Sequence, residues 1–348
     1  MEWAAQNEAV LGYEMACYKP LEGWYSKELN PSGKRSLVFT PNNALQPDDP
    51  LEIPCGQCVG CRLDRSKEWA IRCVHEASLH ENNSFITLTF NEDSLNKREN
   101  PTSLDKTEFQ KFIKRLRKEV VSKNPYPVTK TGLYKKQRAD WQFKHGIRYF
   151  HCGEYGDKYG RPHYHAILFG YDFPDKELLD TINGQYLYRS NLLEKLWPYG
   201  YSSIGNVTFE SAAYVARYVL KKITGDLAWQ HYSDIDYETG EIINVRQPEY
   251  TTMSRRPGIA SKWFEKYNKD CFPSDFITHE GRKLSIPKYY DKLLEKEDPH
   301  QLADLKEERA YKANKHWENN TRERLKIREL IQLKKLKQLP RNIDKCQN

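Results

Sequence analysis

Two strand-like runs joined by a stretch rich in turn formers constrain this chain more than any other feature. Ile147 to Cys152 and His163 to Phe169 read as strands. Between them lies Gly153-Glu154-Tyr155-Gly156-Asp157-Lys158-Tyr159-Gly160-Arg161-Pro162, whose glycines and proline punctuate a turn. The three segments together predict an antiparallel hairpin. Successive strand residues point to opposite faces, so His163 and His165 share one face and Tyr164 lies on the other. Glu154 falls opposite the histidine strand and can present a carboxylate to the same face.

The remaining pattern extends this hairpin into a sheet. Ser84 to Phe90 alternates as a strand, and Tyr201 to Val207 reads as another. Phe109, Phe112, Ile113, Leu116 and Val120 recur at helical spacing behind a capping box at Thr107-Glu108-Phe109-Gln110, with Lys and Arg between them. Leu63 to Leu79, Asn191 to Trp197 and Ser211 to Ile223 also read as helices. The order β-α-β-β-α-β-α predicts an α+β fold, a central antiparallel sheet with helices packed on one face. Residues 1–50 carry five prolines and read as irregular, 123–146 as a long exposed basic loop, and 300–338 as one long charged helix. The expected division is an N-terminal extension with the cysteine-rich segment over 1–62, a core over 63–225, an accessory segment over 226–290 and a charged helical tail over 291–348.

Two imidazoles and a carboxylate on one sheet face suit Mn²⁺, and Mg²⁺ where waters and a substrate phosphate complete the shell. His151 is an alternative ligand. The HxHxDH pattern of metallo-β-lactamase-type zinc hydrolases is absent, because Ala166, Ile167 and Leu168 follow the histidines. Fifty residues on, Tyr214-x3-Tyr218-x2-Lys221 puts two phenols one helical turn apart with a lysine beside them. A phenol titrates near 10 and needs help to attack phosphorus at neutral pH. A neighbouring ammonium favours the phenolate, and a metal ion draws charge from a phosphate. An amphipathic helix would also use Tyr214 and Tyr218 merely for packing; the histidine strand, the hairpin glutamate and the tyrosine helix are specific only in combination.

Cys55-x2-Cys58-x2-Cys61 is a second constellation. Three thiolates, with Cys17 or Cys73 as the fourth, can hold a structural Zn²⁺; the alternative is reduced thiols in a tight loop. A net charge of +7 suits an anionic partner such as nucleic acid. No run of about 18 apolar residues spans a membrane, and no signal peptide opens the chain, which points to a cytoplasm.

At the residues PCGQCVGCR (54–62), EWAIRCVHEASLHENNSFITLTF (68–90), GEYGDKYGRPHYHAILFG (153–170), LEKLWPYGYSSIGNVTFESAAYVARYVLKK (193–222) and RRPGIASKWFEKY (255–267), the chain resembles the replication-initiation proteins of gokushovirus-type microviruses. These resemble a branch of the HUH endonucleases, whose core is RRM-like. The resemblance implies that His163 and His165 are the metal-binding pair, that Tyr218, with Lys221, and Tyr214 carry nucleophilic roles, and that Glu154 sits where related initiators place a carboxylate ligand. It further implies rolling-circle initiation by nicking and rejoining single-stranded DNA at the phage origin, through a 5′-phosphotyrosine intermediate and a free 3′-OH, in the cytoplasm of the bacterial host. Family members start near MACYKP, which makes Met15 a second candidate start.

Two other readings compete. One is a non-catalytic, zinc-dependent single-stranded DNA-binding protein centred on the cysteines. The other is a plasmid relaxase, but relaxases place the nucleophile before the histidine motif, whereas Tyr214 and Tyr218 follow it. No GxxxxGK[ST] loop is present, so ATP-driven unwinding would fall to a host helicase and extension of the 3′-OH to a host DNA polymerase.

Overall fold

The structure, a computed structural model, describes residues 17–125, 137, 140–142, 145–156, 159–182, 184–217, 227–236 and 238–338. The chain divides into two compact units, Ser66–Lys269 and Met1–Arg65 with Asp270–Asn348.

The first of these units is built on β4 (Asn83–Leu88), β5 (Arg148–Tyr155), β6 (Pro162–Phe169), β7 (Glu177–Ile182), β8 (Gln185–Arg189), β9 (Ser202–Gly205) and β12 (Tyr250–Met253). They form one seven-stranded sheet in the order β12-β5-β6-β4-β9-β8-β7, antiparallel at every pairing. The hairpin β5–β6 lies near its centre, as expected. Its turn is closed by Gly156 N–H donating to the Arg161 carbonyl at 2.9 Å, with Gly160 in the left-handed region at φ +62°. The edge strand β12 comes from a stretch that reads as mixed, and β7–β8 carries no strand signal strong enough to stand out.

Helices cover both faces of the sheet, not one. Strand β6 is buried at all eight positions, and a strand enclosed on both sides requires two covering layers. On the Tyr164 face lies α3 (Lys106–Lys123), which follows the short α2 (Glu92–Asn96). The residues α3 buries are the five expected from the periodicity: Phe109, Phe112, Ile113, Leu116 and Val120. They join Ile86, Leu88, Tyr164, Leu168, Trp197 and Ile204 in one apolar cluster. Helix α4 (Asn191–Leu196) adds Leu193 and Leu196 to this layer. The cap of α3 is Asp105, whose side chain accepts from Thr107 N–H at 2.8 Å, in place of the expected box at Thr107. The expected box residue Glu108 instead takes a bidentate bond from Arg98 at 2.7 and 3.0 Å.

On the histidine face lie α1 (Val59–Ala77) and α5 (Phe209–Arg217). Trp69 of α1 stacks on Phe150 at 4.9 Å, and Ala212, Val215 and Ala216 of α5 are fully buried. Ser66 Oγ donates to the Ala213 carbonyl at 3.3 Å. The unit is completed by α6 (Leu227–Tyr232), the hairpin β10 (Ser233–Ile235) and β11 (Ile242–Val245), and α7 (Ser261–Cys271). The expected basic loop falls partly outside the described residues; 140–142 and 145 are helical.

The other unit carries a three-stranded sheet, β1 (Leu21–Leu29), β2 (Arg35–Val38) and β3 (Leu51–Ile53), in the order β2-β1-β3. This replaces the expected irregular N-terminal stretch: the prolines sit at its turns and ends. A hairpin of β13 (Phe276–His279) and β14 (Arg282–Ser285) precedes α8 (Lys288–Glu297), α9 (Pro299–Asn314) and α10 (Arg322–Gln338). The expected single helix over 300–338 is thus two, interrupted by a 3-10 turn at Trp317–Asn320. Asn319, Asn320 and Thr321 are weak helix formers that favour turns and caps, and Thr321 Oγ1 accepts from Arg324 N–H at 3.4 Å at the start of the second helix. Helix α10 is tied to its own unit by Lys19–Glu329 at 3.4 Å and Arg322–Glu22 at 3.0 Å.

Candidate active site

The registers of three neighbouring strand pairs line up polar side chains across the sheet. In the hairpin Glu154 pairs with His163 and Cys152 with His165. Across β6–β4 His165 pairs with Thr87, and across β4–β9 Thr87 pairs with Ser203. One cross-strand row therefore reads Cys152–His165–Thr87–Ser203. Two residues further along the same registers, a second row reads Glu154–His163–Thr89–Tyr201; Thr89 N–H donates to the Tyr201 carbonyl at 2.9 Å. Both rows lie on the face away from Tyr164. The second runs from closed to open: Glu154 is 3% and His163 4% exposed, Tyr201 72%.

His165 is held at both ring nitrogens. Its Nδ1 lies 3.0 Å from Thr87 Oγ1 and its Nε2 2.7 Å from Glu154 Oε1. His163 Nδ1 lies 2.6 Å from the Arg161 carbonyl oxygen. A carbonyl only accepts, so this contact puts the proton on Nδ1 and leaves Nε2 with a lone pair. Such tethering of the second nitrogen is how metal-ligating imidazoles are oriented. Gly156 makes room for the ring, since a Cβ at that position would lie 2.9 Å from His163 Cε1. Tyr214, from α5, is buried and edge-on to His165 at 5.2 Å and 88°, and to Phe85 at 6.3 Å. The donor set, two imidazoles with tied second nitrogens and one carboxylate, has the chemistry of a site for a hard divalent cation. Tyr218 and Lys221 lie outside the described residues.

Tyr164, between the histidines in sequence, has a different job. Its hydroxyl donates to Glu108 Oε2 at 2.5 Å and accepts from Asp105 N–H at 3.0 Å, tying β6 to the start of α3. Burial and the Glu108 carboxylate push this phenol well above its ordinary range. His151 also lies on the Tyr164 face, which removes it as an alternative ligand. It stacks on Phe109 at 3.5 Å, its Nδ1 is 3.0 Å from Thr252 Oγ1, and burial holds it well below the usual imidazole range.

The cysteines form a separate centre in the other unit. Antiparallel pairing of Leu21 with Ile53 carries Cys17 alongside residues 55–58. The Sγ atoms of Cys17, Cys55, Cys58 and Cys61 all lie within 4.8 Å of one another. This is the only group of three or more potential ligands among the described residues that converges so closely; the His163, His165 and Glu154 set is looser. Backbone N–H groups of Cys55, Gln57, Cys58 and Tyr18 point at these sulfurs over 3.2–3.4 Å. Burial pushes the Cys58 thiol up, but the N–H groups of Cys61 and Tyr18 and the neighbouring thiols outweigh it and bring it down to about 7. The quartet can hold a metal such as zinc. Of the two possible fourth ligands, Cys17 is in the quartet; Cys73 is buried inside α1, where burial raises its thiol.

A family model for the replication-associated protein ORF2 matches residues 83–223, the span from β4 through α5. Replication-associated protein VP4 of Bdellovibrio phage phiMH2K is 31% identical over 82% of this chain and 79% of its own. The chain belongs to the replication-associated protein family. Replication-associated protein ORF2 of Spiroplasma virus 4 is 32% identical over 74% of this chain and 72% of its own, and ORF4 of Chlamydia phage 1 is 30% identical over 70% and 54%. No solved structure matches. Among the described residues no helix is long and apolar enough to cross a membrane.

Three residues of this replication-associated chain that touch or flank the histidines escape a reading of motifs: Thr87, Gly156 and Tyr201. Thr87 stands in the alternation of the first core strand and Gly156 among the turn formers, so each carries a signal for structure that conceals its contact with a histidine.

Proposed function

We propose that the chain initiates rolling-circle replication by nicking and rejoining single-stranded DNA at a phage origin. The observation that carries this reading is the same-face set of Glu154, His163 and His165 with Tyr214 against it. A divalent ion, Mn²⁺ or Mg²⁺, held by His163, His165 and Glu154, would draw charge from the scissile phosphate and hold it in line. A tyrosine phenolate, from Tyr218 or Tyr214, attacks phosphorus. The bond from phosphorus to the 3′-oxygen breaks, and that oxygen takes a proton to become a free 3′-OH. The 5′ end stays on the enzyme as a phosphotyrosine ester, which keeps the bond energy for rejoining. Lys221 favours the phenolate by its charge. The buried setting of the histidines strengthens each electrostatic contact. Tyr201, exposed at the far end of the Glu154–His163 row, offers a ring on which a flanking base stacks, two strand spacings or about 10 Å away. A host helicase and DNA polymerase would serve the product in the cytoplasm of the bacterial host.

The test is a denaturing gel of the protein with labelled single-stranded oligonucleotides from its phage genome and Mn²⁺. Label travelling with the protein, dependent on metal and lost in the Tyr214→Phe/Tyr218→Phe double variant, is the expected result. An adduct that survives the double variant overturns the tyrosine assignment. The thiol quartet favours a second reading, a non-catalytic zinc-dependent single-stranded DNA-binding protein; binding that never yields an adduct and is lost on chelation would select it.

A further inference from the structure

A cavity of about 450 Å³ lies at the end of the sheet away from the histidines. Its walls include Glu76, Arg117, Trp141, Arg148, Arg256 and Lys262. Arg148 opens β5 and Glu154 lies near its other end, so about six strand residues, or ~20 Å, separate the cavity from the histidine site. None of Glu154, His163 or His165 lines it.

Its electrostatics are one-sided. Four of the lining residues are Arg or Lys and one is acidic, although the chain holds 48 Asp and Glu. The single carboxylate is already committed. Glu76 is 3% exposed and accepts from Arg148 Nε at 2.5 Å and from Ala260 N–H at 2.6 Å. Arg148 Nη2 donates to the Pro257 carbonyl at 2.8 Å, which fixes the guanidinium at the wall. Arg117 is braced the same way, Nη2 to the Ile147 carbonyl at 3.0 Å. A guanidinium has five N–H donors, so each keeps donors beyond these bonds in a fixed position. Arg256 and Lys262 stand exposed at the rim. Trp141 is oriented by its own bond, Nε1 to the Asn124 carbonyl at 3.1 Å, and His145 lies tilted beside it at 5.5 Å. An indole pinned by its edge in this way can take a base on a ring face. A solvated patch of cations needs no such bracing.

We infer that this cavity is a nucleotide-binding site, distinct from the histidine site, that takes a phosphate on Arg117, Arg148, Arg256 and Lys262 and a base against Trp141. Bidentate guanidinium–phosphate pairing and base–aromatic stacking are the matching interactions. The size falls within the range of small-ligand pockets, about 300–1,000 Å³. The nucleotide is either one link of a DNA strand anchored apart from the histidines or a free mononucleotide, and the test separates these sources.

The experiment compares the full-length chain with its Arg256→Ala/Lys262→Ala variant and with Trp141→Ala. The probes are dTMP and labelled (dT)6 and (dT)20, titrated by calorimetry and anisotropy across a salt series, with thermal melts to confirm unchanged folding. For a strand link, the rim variant binds (dT)20 about tenfold more weakly and its salt slope shrinks by about 1.4, the value for two phosphate contacts on single strands. For a free nucleotide, dTMP binds wild type saturably and the rim variant about tenfold more weakly, with (dT)20 unchanged. Trp141→Ala weakens whichever probe binds. Equal affinities and salt slopes for all three proteins with every probe would overturn the site. Adduct formation at the tyrosines is read separately on the same proteins, so failure of the nicking chemistry does not masquerade as failure here.

Discussion

His163 and His165 occupy one sheet face because strands alternate, but their usefulness as ligands depends on neighbours that fix their tautomers. For His165 that neighbour is Thr87, 3.0 Å from Nδ1. If the pair binds a divalent ion, Thr87→Val should weaken Mn²⁺ binding about 10- to 100-fold, the usual cost of losing an outer-shell partner. Calorimetric titration checks it, and an unchanged affinity would remove Thr87 from the site. Gly156→Ala should act on His163 by crowding Cε1, and is expected to weaken Mn²⁺ binding while leaving the cysteine centre intact. A third residue-scale expectation concerns pH. Burial pushes Glu76 up, but its bonds to His80, Arg148 and Ala260 outweigh it, so its folded pKa lies below the ordinary 4.5. A carboxyl depressed on folding contributes stability that is present above its unfolded pKa and is lost as pH falls through the folded one. Unfolding free energy should therefore drop below about pH 4.5, and Glu76→Gln should flatten that part of the profile, measured by denaturant melts across pH.

At the scale of elements, α3 is the most legible part of the chain. Five apolar residues at helical spacing match its buried face residue for residue, because an amphipathic helix carries its packing instructions within a few turns. Phe112→Ala should cost about 3–5 kcal/mol, since the side chain is fully buried among Leu116, Tyr164 and Trp197 and leaves a cavity. Asp105→Ala should cost about 1 kcal/mol by removing the cap; chemical denaturation measures both. The cap lies two residues before the expected one, because Thr107 and Asp105 both suit the position and only the backbone decides between them. The short strands β7, β8 and β12 are hidden in the sequence for a related reason. Four to six residues on an edge, partly exposed, show little alternation, and their pairing is the main evidence that they are strands.

At the scale of the whole molecule, the cysteine quartet brings Cys17, ahead of the first strand, to Cys55, 38 positions later, and to Cys58 and Cys61 at the start of α1. If it holds zinc, the purified protein should carry one equivalent by mass spectrometry, and Cys17→Ser should lose most of it, whereas Cys73→Ser should keep it. Full retention by Cys17→Ser would show that the quartet is not the site.

What the sequence determined by itself was local and periodic. The hairpin, the shared face of His163, His165 and Glu154, the opposite placement of Tyr164 and the inner stripe of α3 all follow from periods of two or 3.6 residues. Tertiary structure decided what depends on distant partners. It covered both sheet faces, moved His151 to the far side, chose Cys17 over Cys73, and aligned Thr87, Thr89 and Tyr201 with the histidines. Strand register and helix docking arise from contacts between residues tens of positions apart, and no local period in the chain encodes them.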